Sequence, residues 1–593
     1  MGLSRKGCLG MDWVVGGKFY QAKYNKSQTS SHFLNVFDMS VVINRTDLYV
    51  YLCIRHFKIP IYLRRKIQIL SVFVLWICIN VAQAQLFNVS SSACFGGSQN
   101  EELFQASRTS DGGYLMTGLS DSQDGDINQA SVFDTSNIFV VKCDSLGNKV
   151  WARIYGGNLY DKGRFGMEDS HGNYLITGTT LSNDGDVNAS HLNAEVFVMK
   201  LNVDGDVVWL RTYGGNGYES SRFIRETTDG NYLVGAYSTS ANGDLDTARY
   251  GSHDGWIFKT DTAGNVLWSK SYGGSATDRI RWIEPTAGGG FVFAGSTQSA
   301  DYDCIGNHGD HDYWAGKVNA TGDLEWSHVY GGSGPDWAYH IIPAADSTWI
   351  ITGYTSSSDG DVVGYRGGTT DGWIIRIDSQ GNLLNQKCLG GTNTDRLFRT
   401  IKKSETEWVA VGYSGSVNYD LAGVNPGFTA SFWMASLDTS LNRNWSYCIG
   451  GSLGDYAKEI IYAPYDSSFV LIGDSNSPDA IAATNHGDYD FLFVRLEPTA
   501  VSLPEPNICY TPRIYLDGPS SQLICISDKH ITDIDITVYD NMGKMLFEKL
   551  DAEVFPPATQ IDCPTLISGS HGILFIQMVC NDQTSVTKAA FMK

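Results

Sequence analysis

Charge is scarce in this chain: Asp, Glu, Lys and Arg fill only 18% of its 593 positions, against 42% apolar. A chain of that composition buries enough apolar surface to offset the entropy of ordering, so long disorder is excluded. Positive charge is the rarer sign, with 43 Lys and Arg against 64 Asp and Glu, a net −21. That balance disfavours nucleic acid and anionic membranes as partners, and admits cations and neutral or basic polymers. None of the 12 cysteines stands in a Cys-x-x-Cys pair, which removes zinc ribbons and dithiol redox motifs. His-Glu-x-x-His and P-loop sequences are missing too. No apolar run reaches the roughly 20 residues of a membrane span.

What is plentiful is glycine, 64 residues, and tyrosine, 31, a composition that suits an all-β protein rich in tight turns. Near the start, Arg64-Arg65-Lys66 precedes the apolar stretch Ile67 to Val81, and Ala82-Gln83-Ala84 follows. Basic, apolar and small-x-small regions in that order describe a secretory signal peptide over 64–84, with Gln85 as the new terminus and no integral span in the mature form. Residues 1–63 carry no repeat, and are read as an extension from a start codon set too early. Export through the periplasm, to the surface or the medium, is the expectation.

Self-comparison gives the strongest signal. A Gly-Gly pair recurs with its second glycine at Gly97, Gly157, Gly215, Gly274, Gly332, Gly391 and Gly451, spaced 58–60 residues apart. An aromatic residue keeps step at Tyr114, Tyr174, Tyr232, Phe291, Trp349, Trp408 and Phe469. Each unit divides into short strands separated by Asp-Gly, Gly-Asn and Gly-Asp turns. The unit after Gly274, for example, reads as strands over 279–285, 290–296, 313–319 and 324–329. Four antiparallel strands per unit make a propeller blade. The seventh unit ends after its third strand, near 496, and residues 86–95 have the ending of a fourth. The fold expected is therefore a seven-bladed β-propeller over 85–500, closed by its N-terminal strand. Both long connections of each blade fall on one face, which is where binding is expected.

Two acidic patterns are candidates for chemistry. Four residues after each Gly-Gly stands an acid: Glu101, Asp161, Glu219, Asp278, Asp336, Asp395 and Asp455. A ring of carboxylates at the channel mouth would hold a cation; the alternative is that each accepts hydrogen bonds inside its own turn. Asp-Gly-Asp loops occur at Asp124–Asp126, Asp184–Asp186 and Asp359–Asp361, resembling part of a calcium loop without its remaining ligands. Calcium is the cofactor those six aspartates admit, and turn formation explains them equally. His308, Asp310 and His311 share one loop, with His486 at the matching place in the seventh repeat.

After a linker at 501–512, residues 513–593 change pattern to short alternating strands, the reading of a small Ig-like β-sandwich. Three stretches carry a resemblance: Ile536-Thr-Val-Tyr-Asp-Asn-Met-Gly543, Ser570-His-Gly-Ile-Leu-Phe-Ile576 and Thr587-Lys588-Ala-Ala-Phe-Met-Lys593. They resemble the C-terminal sorting domains of the type IX secretion system of Bacteroidota, departing in Ile573-Leu574 where a Val-Tyr-like pair is usual. The resemblance implies that 513–593 engages the type IX machinery as a partner and delivers the propeller across the outer membrane. The repeats are similar to glycine-rich propeller repeats that often precede such a domain, which names no ligand. The function expected is a non-enzymatic binding or adhesion module for a glycan or protein. The alternatives are a secreted glycan-active enzyme with carboxylates from several blades, and a structural surface-layer protein.

Overall fold

The computed structural model describes residues 87–499 apart from short loop segments, the backbone of strands between 513 and 590, and two hairpins within 10–51. Residues 64–84, read above as a signal peptide, and 501–512, read as a linker, lie outside the described residues. The chain forms two compact units, residues 1–82 and 83–593. In the first, Gly10–Val15 pairs with Lys18–Lys23 and Ser40–Ile43 with Leu48–Tyr51.

In the second unit, seven sheets of four antiparallel strands follow one another. The fourth blade consists of Asp278–Pro285, Phe291–Thr297, Asp312–Val318 and Leu324–Tyr330. Its strands follow the chain outwards from the axis. The second strand is buried along its whole length and the fourth is partly exposed. That gradient explains the sequence, because a strand covered by a neighbouring blade on both faces reads as a continuous apolar run.

The last blade closes as the repeat pattern requires. Its first three strands are Asp455–Ala463, Ser468–Ser475 and Asp490–Pro498, and its fourth is Phe87–Phe95 from the other end of the propeller. Phe87 enters a cage of Trp445, Tyr447 and Phe469 with ring centroids 5.2–5.5 Å away.

Neighbouring blades are stitched by the residues that repeat. The tyrosine before Gly-Gly reaches into the next blade and donates its hydroxyl to a glycine carbonyl: Tyr155 to Gly205, Tyr213 to Gly264 and Tyr330 to Gly381, at 2.5–2.7 Å. Trp151 and Trp326 do the same through indole N–H groups, to Val203 and Ser379. Cys94, Cys143, Cys304, Cys388 and Cys448 are free thiols.

In the C-terminal region Arg513–Asp517, Gln522–Ile526 and Ala558–Asp562 form a three-stranded antiparallel sheet. Met545–Val554, Ile531–Tyr539, Ile573–Cys580 and Gln583–Ala590 form a four-stranded one. Among the described residues no helix is long and apolar enough to cross a membrane.

Candidate functional site

The site is built by a defect repeated seven times. Every innermost strand carries a β-bulge three residues after its acid, so that Phe104, Arg164, Arg222, Arg281, Tyr339, Phe398 and Lys458 are left without a ladder partner. In six blades a glycine on the adjacent strand makes room for it, and in the third Ala236 holds that place. At Gly178, Gly295, Gly353 and Gly412, an added Cβ would lie 1.8–1.9 Å from a backbone oxygen of the bulged strand. A bulge breaks the in-out alternation of a strand and re-aims side chains. All seven bulge residues line one cavity of about 580 Å³ on the propeller axis. The same cavity touches Asn100, Tyr413, Asp474 and Tyr489, which stand at strand ends on the face of the long connections.

The cavity is a cup rather than a pore. The residue after each bulge also lies inside, and these residues pack into a floor. Phe165, Phe223 and Trp282 meet with centroids 4.8–5.4 Å apart, and His340 stands edge-on to Trp282 at 4.5 Å. Arg399 lies 4.2 Å above the Trp282 ring and pairs with buried Glu459 at 3.2 Å.

Unpaired charge and aromatic surface are divided around the wall. The second to fourth blades contribute Arg164, Arg222 and Arg281, with Lys162 and Arg279 acting on them from behind. The fifth to seventh contribute Tyr339, Phe398, Tyr413 and Tyr456 together with Arg396, Arg399 and Lys458, of which Arg399 pairs with Glu459 and Lys458 with Asp474. The Nε atoms of Arg164, Arg222, Arg279 and Arg281 are buried and have no hydrogen-bond partner. The cations suppress one another: burial, and then Arg222, bring Arg164 down to about 9. Burial followed by Arg164 and Arg222 takes Lys162 down to about 8. Opposite them, burial and then Glu102 push Asp474 up to about 7, although Lys458 lies 3.4 Å away and acts in the other sense.

Of the residues singled out in the sequence, Glu101 alone borders the cavity among the described residues. All seven ring acids are fully buried. Each accepts the N–H of the second glycine of its Gly-Gly, at 2.7–3.0 Å. Hydroxyls at and just after the end of the second strand complete the shell; Asp455 takes those of Ser475 and Ser477. The Asp-Gly-Asp loops clasp the same connection from outside. Asp124, Asp184 and Asp359 accept the N–H that follows Gly-Gly at 2.7–2.8 Å. Asp126, Asp186 and Asp361 accept that of its first glycine at 3.1–3.4 Å. The central glycine has φ near +65°, and an added Cβ would strike a Gly-Gly carbonyl, so glycine is favoured at that turn. Tyr302 and Tyr419 nevertheless hold that place in the fourth and sixth repeats, at φ of 52° and 49°. His308 and His486 bond Asp312 and Asp490, whereas His311 stacks on Trp337 at 4.0 Å, so the histidines do not converge. Among the described residues no three His, Cys, Asp or Glu side chains gather as a metal site.

Several blade joints place a second carboxyl beside the ring acid, with consequences for pH. Burial, and then Asp395, push Asp371 up to about 7. Burial raises Asp312, with Asp336 adding to it, and raises Asp490. A carboxyl whose folded pKa exceeds its unfolded one contributes stability below the unfolded value and loses it as pH climbs through the folded one. Melting temperature should therefore fall by roughly 5 °C between about pH 4 and about pH 7. Calorimetry across that window checks it, and Asp371→Asn should flatten the slope; an equally steep slope in that variant would remove Asp371 from the explanation.

No protein-family model matches the chain, and no curated protein matches it by sequence. Among solved structures it is similar to the WD40 repeats of RRP9, at 9% identity over 69% of this chain and 100% of that one, with a TM-score of 0.37. A putative exo-β-1,3-galactanase from Bifidobacterium bifidum is 11% identical over 51% of this chain and 99% of that one, with a TM-score of 0.27. A DUF4221-family protein from Bacteroides vulgatus is 9% identical over 69% and 97%, also with a TM-score of 0.27. Such distant likenesses bear on the fold alone.

The cup itself went unread in the sequence, because its residues are the ones that do not repeat. Net charge hid it as well: a sum of −21 says nothing about where the positive side chains gather.

Proposed function

We propose that this chain is an exported, non-enzymatic propeller module that binds an anionic ligand in its axial cup. One observation carries the reading. Three arginines from three consecutive blades, Arg164, Arg222 and Arg281, converge on a blind cavity with no carboxylate in ion-pair contact with them among the described residues, in a strongly acidic protein. Half-buried cations without counter-charges are costly, and an incoming anion supplies what the fold withholds. Delivery fits the chain ends: a signal peptide at 64–84, and an Ig-like sorting sandwich at 513–593 addressed to the type IX machinery. Deleting 513–593 should leave the propeller in the periplasm, detected by fractionation.

A ligand that binds only the folded state raises its melting temperature. Titrating sulfate or a polyanion into the chain, at constant ionic strength and with or without calcium, should raise melting temperature by several degrees, while a neutral glycan alone should not. No shift with any anion would sink the binding reading.

One feature favours the enzymatic alternative. Asp474, held near neutral pKa, shares the wall with Glu102 from another blade, an arrangement able to exchange a proton with a ligand hydroxyl. Glycan hydrolysis in the same titration, lost in Asp474→Asn, would replace a binding module by an enzyme.

A further inference from the structure

We infer that the cup takes the terminal ring of an acidic glycan, a pyranose bearing a carboxylate or sulfate, with its charge towards the second to fourth blades. The inference rests on the anion-binding reading and narrows it. Three features of the cup select this chemistry over a bare anion or a polyanion lying across the face.

The floor decides the mode of entry. Phe165, Phe223, Trp282 and Arg399 close the axis, so a polymer enters by its end and cannot thread through. About 580 Å³ is room for a mono- or disaccharide and far more than an inorganic oxyanion fills.

The wall decides the polarity. Arg164, Arg222 and Arg281 lie on one arc, and guanidinium groups offer the planar fork that pairs with carboxylate or sulfate oxygens. Arg281 is already stacked over Tyr339 at 4.4 Å and Arg164 over Phe104 at 3.9 Å, which fixes the guanidinium planes before a ligand arrives. The far arc presents Phe398, Tyr413 and Tyr456, and its cations are already engaged: Arg396 over Tyr354 at 4.3 Å, Arg399 with Glu459 and Lys458 with Asp474. Tyr413 and Tyr456 meet edge-to-face at 4.8 Å, leaving aromatic surface for the apolar face of a sugar ring.

The remaining polar atoms decide against a plain anion. Glu102 and Asp474 stand on the wall as acceptors, and Asn100 beside them. A sulfate or phosphate ion has nothing to donate to a carboxylate and is repelled by it; sugar hydroxyls donate. A ligand that is anionic at one edge and hydroxylated at the other satisfies both arcs together.

Isothermal titration of the full chain with four probes tests this: a glucuronate-ended oligosaccharide, a sulfate-ended one, the neutral oligosaccharide of equal length, and inorganic sulfate. One charged oligosaccharide should bind at least about 10-fold more tightly than both the neutral one and free sulfate. Arg222→Gln should weaken it by roughly 30-fold. Because that change removes a half-buried cation with no carboxylate partner, the unliganded variant should melt at the same or a higher temperature, which separates lost recognition from lost folding. Tyr456→Ala should cost about 10-fold for the oligosaccharide and leave free sulfate unaffected. Free sulfate binding as tightly as either acidic glycan would overturn the glycan inference and leave the anion reading standing. Failure of every anionic probe would overturn both.

Discussion

A chain that begins at Gly96 should not fold as a cooperative unit. The strand Phe87–Phe95 is the whole fourth strand of the last blade, matched to Asp490–Pro498 through eight residue pairs. Its removal uncovers the edge of a sheet whose third strand is buried from Asp490 to Leu496, an apolar edge open to any other chain. Phe87 and Phe95, both buried, contribute about 2–3 kcal/mol each from burial alone. Lost ladder hydrogen bonds and the aromatic cage around Phe87 add to that, so the total approaches the roughly 5–15 kcal/mol that holds a domain together. The expected result is aggregation on size exclusion and no sharp calorimetric transition. A synthetic peptide of residues 87–95 added in trans should restore both, since strand addition supplies the missing ladder. If the shortened chain melts cooperatively at the parent temperature, closure by this strand is not what stabilises the ring.

That closure was legible because a count was broken: six units had four strands, the seventh three, and the missing one stood before the first Gly-Gly. The ring acids were legible as a pattern but not as an environment. Repetition alone does not say whether Asp161 faces the axis or its own turn; the N–H of Gly157 and the hydroxyl of Ser182 decide that. The cup was not legible, for a definite physical reason. Reading a strand by alternation puts Arg164 and Phe165 on opposite faces, whereas the bulge between Gly163 and Phe165 turns both to the axis. The position still carried a signal. The third residue after the acid runs Phe, Arg, Arg, Arg, Tyr, Phe, Lys round the ring, while the adjacent strand keeps a glycine in six repeats and has Ala236 in the third. Divergence at an inward-facing position, beside a constant acid and a nearly constant glycine, sets the cup apart from the scaffold.

The constancy of the ring acids can be given a magnitude, and the seventh blade is the place to measure it. Asp455 is fully buried, and its carboxylate holds the Gly451 N–H at 2.7 Å and the hydroxyls of Ser475 and Ser477 at 2.5 and 3.1 Å. Across the joint from it stands Ser431, where the preceding joint has Asp371 beside Asp395. Asp455 therefore makes its hydrogen bonds with no second carboxylate to repel it from that position. Asp455→Ala should leave three donors unsatisfied and cost about 3–5 kcal/mol, read from the midpoint of urea unfolding. Asp395→Ala removes a similar set of bonds but also frees Asp371 of its neighbour, so at neutral pH it should cost roughly 2 kcal/mol less. At pH 4, where Asp371 is protonated in either chain, the two substitutions should cost the same. Equal losses at both pH values would mean that the paired carboxyls do not repel, and that the raised pKa of Asp371 comes from burial alone.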